Sequence, residues 1–342
     1  MDNKKIIIIG GGFTSLVLKL VIPNSIVLSS NYSGDKKKYR KNLSIEKIFS
    51  YKNKSYGDLE YKLKTSILHD MPILGGNSNI WGGFINLSEI PNSFIKFLKE
   101  NKVYTTKLSF TNTGSVANKN IHQLRDVNNN ILNVKNLKIQ SEDCFVEKLD
   151  TTGNFVKVQT TDNKIYKAAK VYLATGVVQT LDLLYRSGYL ENGSKITLDE
   201  YEHKLSVKFT FRKNYFNEES EESTIIRFNL LVALKHFLGI QGNIKLIGLF
   251  NWIPIYIEQK FSKKNSKLKL KLDKNIFIEE IESINFGRSI HYCNLTINEV
   301  PIRKYLEKIH KKIDGSGMAF IKQKGPGPIS NDIILDILKK IV

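Results

Sequence analysis

Three successive glycines, Gly10, Gly11 and Gly12, stand between the apolar run Ile6–Ile9 and the segment Phe13–Leu20. Glycines at a strand-to-helix turn let backbone amides approach a pyrophosphate, whose charge then rests on the helix N-terminus. Gly10-x-Gly12 is therefore a candidate dinucleotide-binding turn. Two parts of that pattern are missing: Ser15 takes the place of a third glycine, and Ser29, Ser30 and Asn31, after the next apolar run, offer no carboxylate for a ribose hydroxyl. A tight turn without a ligand is the competing reading. Two more glycine-bearing segments follow, Gly75–Gly83 (GGNSNIWGG) and Val171–Thr180 (VYLATGVVQT). His291 and Cys293 share a face if their segment is a strand, but no neighbour supplies the third group that would orient the imidazole for nucleophilic work. His69, His122, His203, His236 and His310 show no ligand spacing, so no metal site is expected. Cys144 and Cys293 are the only cysteines and form no CxxC, which excludes a disulfide framework and a cysteine-rich metal centre.

The elements that must carry these residues follow from local pattern. Ile6–Ile9 is β-branched and unbroken, as in a strand buried on both faces of a parallel sheet. Phe13–Leu20 reads as a short helix ended by Pro23-Asn24, and Ile26–Leu28 as a second strand, which makes a βαβ beginning. Val171–Leu173 returns to that sheet, and Thr180–Tyr185 continues as a helix. Leu205–Phe211 alternates like a strand, as does Phe155–Val158. Lys267–Leu272 alternates strictly, which requires one wet face. Leu230, Leu231, Leu234, Phe237 and Leu238 recur at helical spacing, and Pro328 opens a last helix through Ile329, Ile333, Ile334 and Ile337. Asp35–Lys64 reads as a polar excursion and residues 217–222 as an acidic solvated loop.

Composition bounds the class. A chain of 342 residues with 41% hydrophobic and 25% charged residues can bury a large core in one large or two ordinary domains. Its net charge of +19 would suit an anionic partner. The lysines are spread along a chain rich in Asn and Ile, however, and no aromatic residues interleave a basic groove, so compositional drift is the better account and no nucleic-acid partner is expected. Lys4, Lys5 and Ile6–Ile9 imitate a signal peptide, but Gly10–Gly12 and Lys19 break the apolar region. No segment reaches the roughly 18–20 apolar residues of a spanning helix, and a soluble, cytoplasmic protein is expected. The apolar stretch Ile225–Ile257, with lysines from Lys260 to Lys274, leaves contact with an anionic membrane surface as a minor alternative to a core helix.

The N-terminal turn, the GGxSxxWGG block and the strand–Ala-x-Gly–Gln-Thr block together resemble the glucose–methanol–choline (GMC) oxidoreductase family of flavoproteins, in that family's order. The tryptophan between two glycine pairs is the most specific part. Arg288–Cys293, Asp314-Gly315-Ser316 and Gly325–Pro328 look like an abbreviated version of the family's C-terminal end. The resemblance implies an α/β protein: a Rossmann-like FAD-binding domain with a central parallel sheet, plus an α+β substrate domain built on an antiparallel sheet. Residues 1–205 would begin the FAD-binding domain, 206–285 would bind substrate, and 286–342 would return to the first.

By the same resemblance, Gly10, Gly12 and Thr14 line the FAD diphosphate. Gly76, Asn77, Ser78, Asn79, Trp81 and Gly82 run along the flavin and ribityl chain, and Ala174 and Gly176 close over the adenosine side. Asp314 and Ser316 stand in the family's Asp-x-Ser. No histidine lies at 77–80, so FAD is expected noncovalently bound. His291 becomes the base that takes an alcohol's proton while flavin accepts hydride, an imidazole being suited by its near-neutral pKa. Asn331 is the nearest candidate for a second catalytic residue. The implied substrate is a small-molecule alcohol or sugar, such as a glycan precursor in polysaccharide biosynthesis, with the electron acceptor unspecified. The alternative is a catalytically degenerate flavoprotein fold serving as a binding or scaffold protein, which Ser15, the missing acid and the shortened C-terminal segment favour.

Overall fold

The fold is given by a computed structural model, which describes residues 5–29, 60–62, 84–107, 121–129, 132, 141–202, 206–210, 223–229, 254–260, 264–273, 276–279, 289–322 and 329–341. In chain order these form β1 (Ile6–Ile9), α1 (Phe13–Val21), β2 (Ile26–Ser29), β3 (Glu60–Lys62), β4 (Phe84–Asn86), α2 (Asn92–Glu100), β5 (Tyr104–Lys107) and β6 (Ile121–Arg125). There follow β7 (Ser141–Asp143), β8 (Val146–Asp150), β9 (Val156–Thr160), β10 (Ile165–Ala168), β11 (Lys170–Leu173), α3 (Gly176–Arg186), β12 (Lys195–Glu202), β13 (Ser206–Thr210) and β14 (Ser223–Asn229). The rest are β15 (Pro254–Lys260), β16 (Lys264–Asp273), β17 (Ile276–Glu279), β18 (Ser289–Ile297), β19 (Val300–Pro301), α4 (Ile302–Ile309), β20 (Ile313–Gly315) and α5 (Ile329–Ile341).

The four isoleucines of β1 explain its place. It lies at the centre of a parallel sheet ordered β20-β11-β1-β2-β7, with Ile7 opposite Val171 and Ile26, and Ile8 opposite Tyr172 and Val27. Because side chains alternate across a strand, Ile7 and Ile9 enter one core and Ile8 the other. Ile8 shares its side with Leu16, Val17 and Leu18 of α1 and with Ile333, Ile334 and Ile337 of α5. Such complete burial contributes about 1.5–3 kcal/mol per large aliphatic side chain. The helix α1 is buried through six consecutive residues, Phe13 to Leu18, as a helix covered by sheet on one side and α5 on the other must be. It stops at Val21, where Lys19 donates to the carbonyls of Pro23 (2.6 Å) and Ser25 (2.5 Å).

The second core joins the parallel sheet to an antiparallel one. A sheet ordered β19-β18-β12-β16-β17-β3 is antiparallel except for the parallel pair β17–β3. Ile196 and Leu198 of β12, Leu270 and Leu272 of β16, and Leu295 and Ile297 of β18 pack in one cluster with Ile7, Ile9 and Leu173. This sheet draws β12 from before residue 205, β16 and β17 from the middle segment and β18 and β19 from after 286, so all three chain segments share one core. Smaller antiparallel sheets, β10-β9-β8, β13-β15-β14 and β4-β6-β5, complete the described architecture.

The molecule is thus a mixed α/β protein with a parallel sheet and antiparallel sheets, as the sequence pattern requires. The strand at Lys267–Leu272 has the expected wet face: Lys267 and Lys271 are exposed, Leu270 and Leu272 buried. The expected helix at 230–238, the acidic loop at 217–222 and the block Gly75–Gly83 lie outside the described residues. Among the described residues no helix is long and apolar enough to cross a membrane.

Candidate functional site

The carboxyl ends of β1, β11 and β20 meet at the glycine turn. The backbone continues the sheet beyond the strands: Gly10 N–H donates to Leu28 (2.9 Å), Ala174 N–H to Ile9 (2.8 Å) and Ser316 N–H to Leu173 (3.0 Å). Gly10 is held at φ +119°, and a Cβ built there would overlap the carbonyl of Ala174, whose carbon would stand 2.7 Å away. Glycine is therefore demanded here by the close passage of two chain segments. Gly10, Gly11 and Gly12, with Thr175 and Gly176 beside them, are half-exposed, whereas Phe13, Thr14, Ser15 and Ala174 are buried.

The first turn of α1 carries no acidic residue, and its N-cap, Gly12, gives no side-chain cap. The positive end of the helix dipole thus faces the glycine turn with no carboxylate in the helix's own first turn. One turn in, the hydroxyl of Ser15, 1% exposed, has no hydrogen-bond partner among the described residues. It sits where the third glycine of the pattern allows close helix–strand packing. On the other side, Thr180 donates to the Gly176 carbonyl and its hydroxyl lies 2.8 Å from that of Thr175, which fixes the start of α3.

Asp314 and Ser316 join the same end of the sheet, but their side chains turn to protein partners. Asp314 Oδ1 accepts from the Gly315 N–H (2.7 Å) and from Arg303 Nη1 (3.2 Å), and Ser316 Oγ donates to Asp336 Oδ2 (2.5 Å). Arg303 Nη2 lies 2.6 Å from Asp336 Oδ1, and Lys340 Nζ 3.2 Å from Asp336 Oδ2. Burial pulls the Lys340 ammonium below the ordinary lysine pKa, with Asp336 acting in the opposite direction. Burial, with help from Asp314, pushes the phenol of the neighbouring Tyr172 up. Beyond Ser316, Gly317 (φ +95°) rests on Thr14: a Cβ there would be 2.7 Å from Thr14 Oγ1. Sequence reasoning missed Arg303, Asp336 and Lys340. Only the four-residue spacing of Asp336 and Lys340 along one helix gave a local sign of them.

Asn331 is engaged elsewhere. Its Oδ1 accepts from the Asn86 N–H (3.0 Å), and its Nδ2 donates to the Asn86 carbonyl and to Glu89 Oε2 (both 2.8 Å). Both of its amide hydrogens are used in a buried clasp between α5 and the end of β4. His291 lies on β18, in register with Tyr201 of β12, within the antiparallel sheet. Cys293 beside it is fully buried, and a bulge follows, with Asn294 at φ 52° donating to Asp199 (2.7 Å). Gly76, Asn77, Ser78, Asn79, Trp81 and Gly82 lie outside the described residues. The structure thus brings together Gly10, Gly12, Thr14, Ala174, Gly176, Asp314 and Ser316, and sets His291 on a different sheet. Among the described residues no cluster of three or more His, Cys, Asp or Glu could hold a metal ion.

The arrangement fits the phosphate end of a dinucleotide. Half-exposed glycine backbone, an uncapped helix start and the absence of a first-turn carboxylate suit an anion. The side-chain space at Gly10 is filled by Ala174, so a ligand there would meet the turn's backbone from its exposed side.

No family model matches the chain, and no curated protein matches it in sequence. Among solved structures, the chain is weakly similar to a Diels–Alderase of the pyrroindomycin pathway (9% identity over 98% of this chain and 64% of that one, TM-score 0.34). It is similar at the same level to the anhydrotetracycline hydroxylase OxyS from Streptomyces rimosus (9% identity, 98% and 60%, TM-score 0.33). A third is a flavoprotein/dehydrogenase from Cytophaga hutchinsonii (8% identity, 98% and 75%, TM-score 0.31). The chain spans only 64% and 60% of the first two.

Proposed function

We propose that the chain is a flavin-dependent oxidoreductase acting on a CH–OH group, with FAD held noncovalently and its diphosphate on the β1–α1 turn. The observation that supports this most is the pairing of half-exposed glycine backbone at Gly10–Gly12 with an α1 N-terminus that has neither side-chain cap nor first-turn acid. The glucose–methanol–choline resemblance of the three glycine-bearing blocks supports FAD over another dinucleotide.

In this reading the amides at Gly12 and Thr14 bind the diphosphate, and Ala174 and Gly176 border the adenosine side. The turn Asp314–Gly317 packs over the start of α1. Residues Gly76–Gly82 border the ring, which when bound supplies the hydride acceptor. His291 takes the proton from the substrate hydroxyl, a task for which imidazole is protonically suited near neutral pH. The substrate is a small alcohol or sugar.

The test is an absorption spectrum of the purified protein before and after incubation with FAD. Flavin bands at near-stoichiometric amplitude are expected, and their bleaching by a panel of sugars and alcohols would name the donor. A protein that takes up no flavin under either condition would overturn the proposal and leave a binding or scaffold role. His291→Ala should keep the flavin bands and lose bleaching; full activity in that variant would remove His291 as the base.

A further inference from the structure

The turn Asp314–Gly317 is gripped by residues that belong to no glycine motif. Arg303, from α4, donates through Nη1 to Asp314 Oδ1 and to the Gly315 carbonyl (3.1 Å), and through Nη2 to Asp336. Asp336, from α5, accepts the Ser316 hydroxyl on its other oxygen. Lys340, one turn further along α5, donates to the same Gly315 carbonyl and pairs with Asp336. The side chains of Arg303, Asp336 and Lys340 are 27%, 20% and 17% exposed, so their charges are only partly screened. The far end of the turn bears on the N-terminal turn of α1 through the Gly317–Thr14 contact.

The turn's own backbone is held by the Asp314 carboxylate, which accepts the Gly315 N–H, and by the Ser316 N–H bond to Leu173, while the side-chain anchors come from α4 and α5. Gly315 has no side chain to pack, because a Cβ there would overlap the ring of Phe320, and Gly317 occupies a left-handed conformation that other residues rarely adopt. We propose that Arg303, Asp336 and Lys340 are positioning residues that fix the Asp314–Gly317 turn against Thr14, and so set the shape of the phosphate-binding end of the parallel sheet. For the nature of the ligand this rests on the FAD reading above. Asp336 is the hub, since it alone joins the arginine, the lysine and the Ser316 hydroxyl.

The experiment compares Asp336→Asn, Arg303→Met and the milder Ser316→Ala with the wild type in two measurements. The first is amide hydrogen exchange at Ser316 and Phe320, whose N–H groups donate to Leu173 and Gly317, referenced to Ala174, whose N–H donates to Ile9. The second is the dissociation constant for FAD. Loss of a charge-assisted bond should speed exchange at Ser316 and Phe320 by about tenfold or more while Ala174 stays within about twofold. FAD should bind about tenfold more weakly in the same variants. Equal acceleration at all three amides, or none at any, would overturn the inference, as would a loosened turn with unchanged FAD affinity. Should the other two variants fail to fold, Ser316→Ala decides alone, since it removes a single hydroxyl. If wild-type protein binds no FAD, the flavin reading falls by itself. The exchange measurement then still decides the positioning role, supported by local loosening and overturned by its absence.

Discussion

Gly10 and Ala174 pass so closely that the carbonyl of Ala174 fills the place of any side chain at position 10. At the same place Ala174 N–H ties β11 to β1 through Ile9, and Gly10 N–H ties β1 to β2 through Leu28. The first glycine of the turn is thus a requirement of the sheet, whereas Gly12, at φ −90° and half-exposed, has an extended backbone that any residue adopts.

That difference separates stability from ligand binding. Gly10→Ala combines a forbidden φ with an overlap against backbone, and should lower stability by about 2–4 kcal/mol in urea denaturation of the flavin-free protein. Gly12→Ala should unfold within about 1 kcal/mol of the wild type, since alanine adopts that backbone freely. Its effect should appear instead as weaker FAD binding, because the methyl group stands between the backbone and the diphosphate. A Gly12→Ala protein with wild-type FAD affinity would remove the turn from the cofactor site.

The buried pair Asp182–Arg186 should dominate the effect of single charge deletions. Arg186 Nε lies 2.8 Å from Asp182 Oδ2, with side-chain exposures of 9% and 0%. The guanidinium also donates to the carbonyls of Val146 (2.8 Å) and Glu147 and covers the ring of Phe145 at 4.7 Å, clamping α3 to β8. Asp182→Ala strands that charge and should cost about 3–5 kcal/mol. Removing Lys164 from its pair with Asp162, where the two side chains are 61% and 45% exposed, should leave stability nearly unchanged. Comparable losses for the two would contradict the clamp.

What could be read from the sequence was what a single element dictates. The isoleucines of β1, the alternation at Lys267–Leu272 and the final helix through Ile333, Ile334 and Ile337 each carry their own periodicity, and each is found in place, while Pro328 lies outside the described residues. The glycine turn was readable for the same reason, since strand, glycines and helix are contiguous. The grip on Asp314 and Ser316 was not. Arg303 and Asp336 are 33 residues apart, and Asn86 and Asn331 are 245 apart, so their pairing depends on how α4, α5 and β4 come to lie together. No local pattern reports that. Pairing β12 with both β16 and β18 similarly required the antiparallel sheet to gather all three segments of the chain.

Cys144 should show itself in alkaline solution. Burial, and then the negative charges of Asp162 and Glu142, push its pKa up to about 11. The folded value lies above the ordinary thiol value near 8.5. The contribution to stability is therefore present below about pH 8.5 and is lost as the pH rises through about 11. Thiol labelling of Cys144 in a Cys293→Ala background should be slow at pH 8 and follow a midpoint near pH 11 while the protein stays folded. Fast labelling with a midpoint near pH 8.5 would mean that this thiol is not held in the environment described.

Asn331 offers the sharpest test of the long-range clasp. Replacing it with alanine leaves the Asn86 N–H and carbonyl without partners in a site where Asn86 and Asn331 are 3% and 2% exposed. The cost should be about 2–4 kcal/mol, from lost bonds and stranded buried groups. Asn331→Asp keeps the shape and the acceptor for the Asn86 N–H, but its ionised form has no hydrogen to give to the Asn86 carbonyl or to Glu89, and it sets a second carboxylate beside the first. It should therefore be at least as damaging as alanine at pH 7. As the pH falls, the pair can share a proton between its oxygens, because two close carboxylates resist double ionisation. Stability of Asn331→Asp relative to Asn331→Ala should consequently rise between pH 7 and about pH 5. A difference independent of pH over that range would show that Glu89 does not face position 331 in the folded protein.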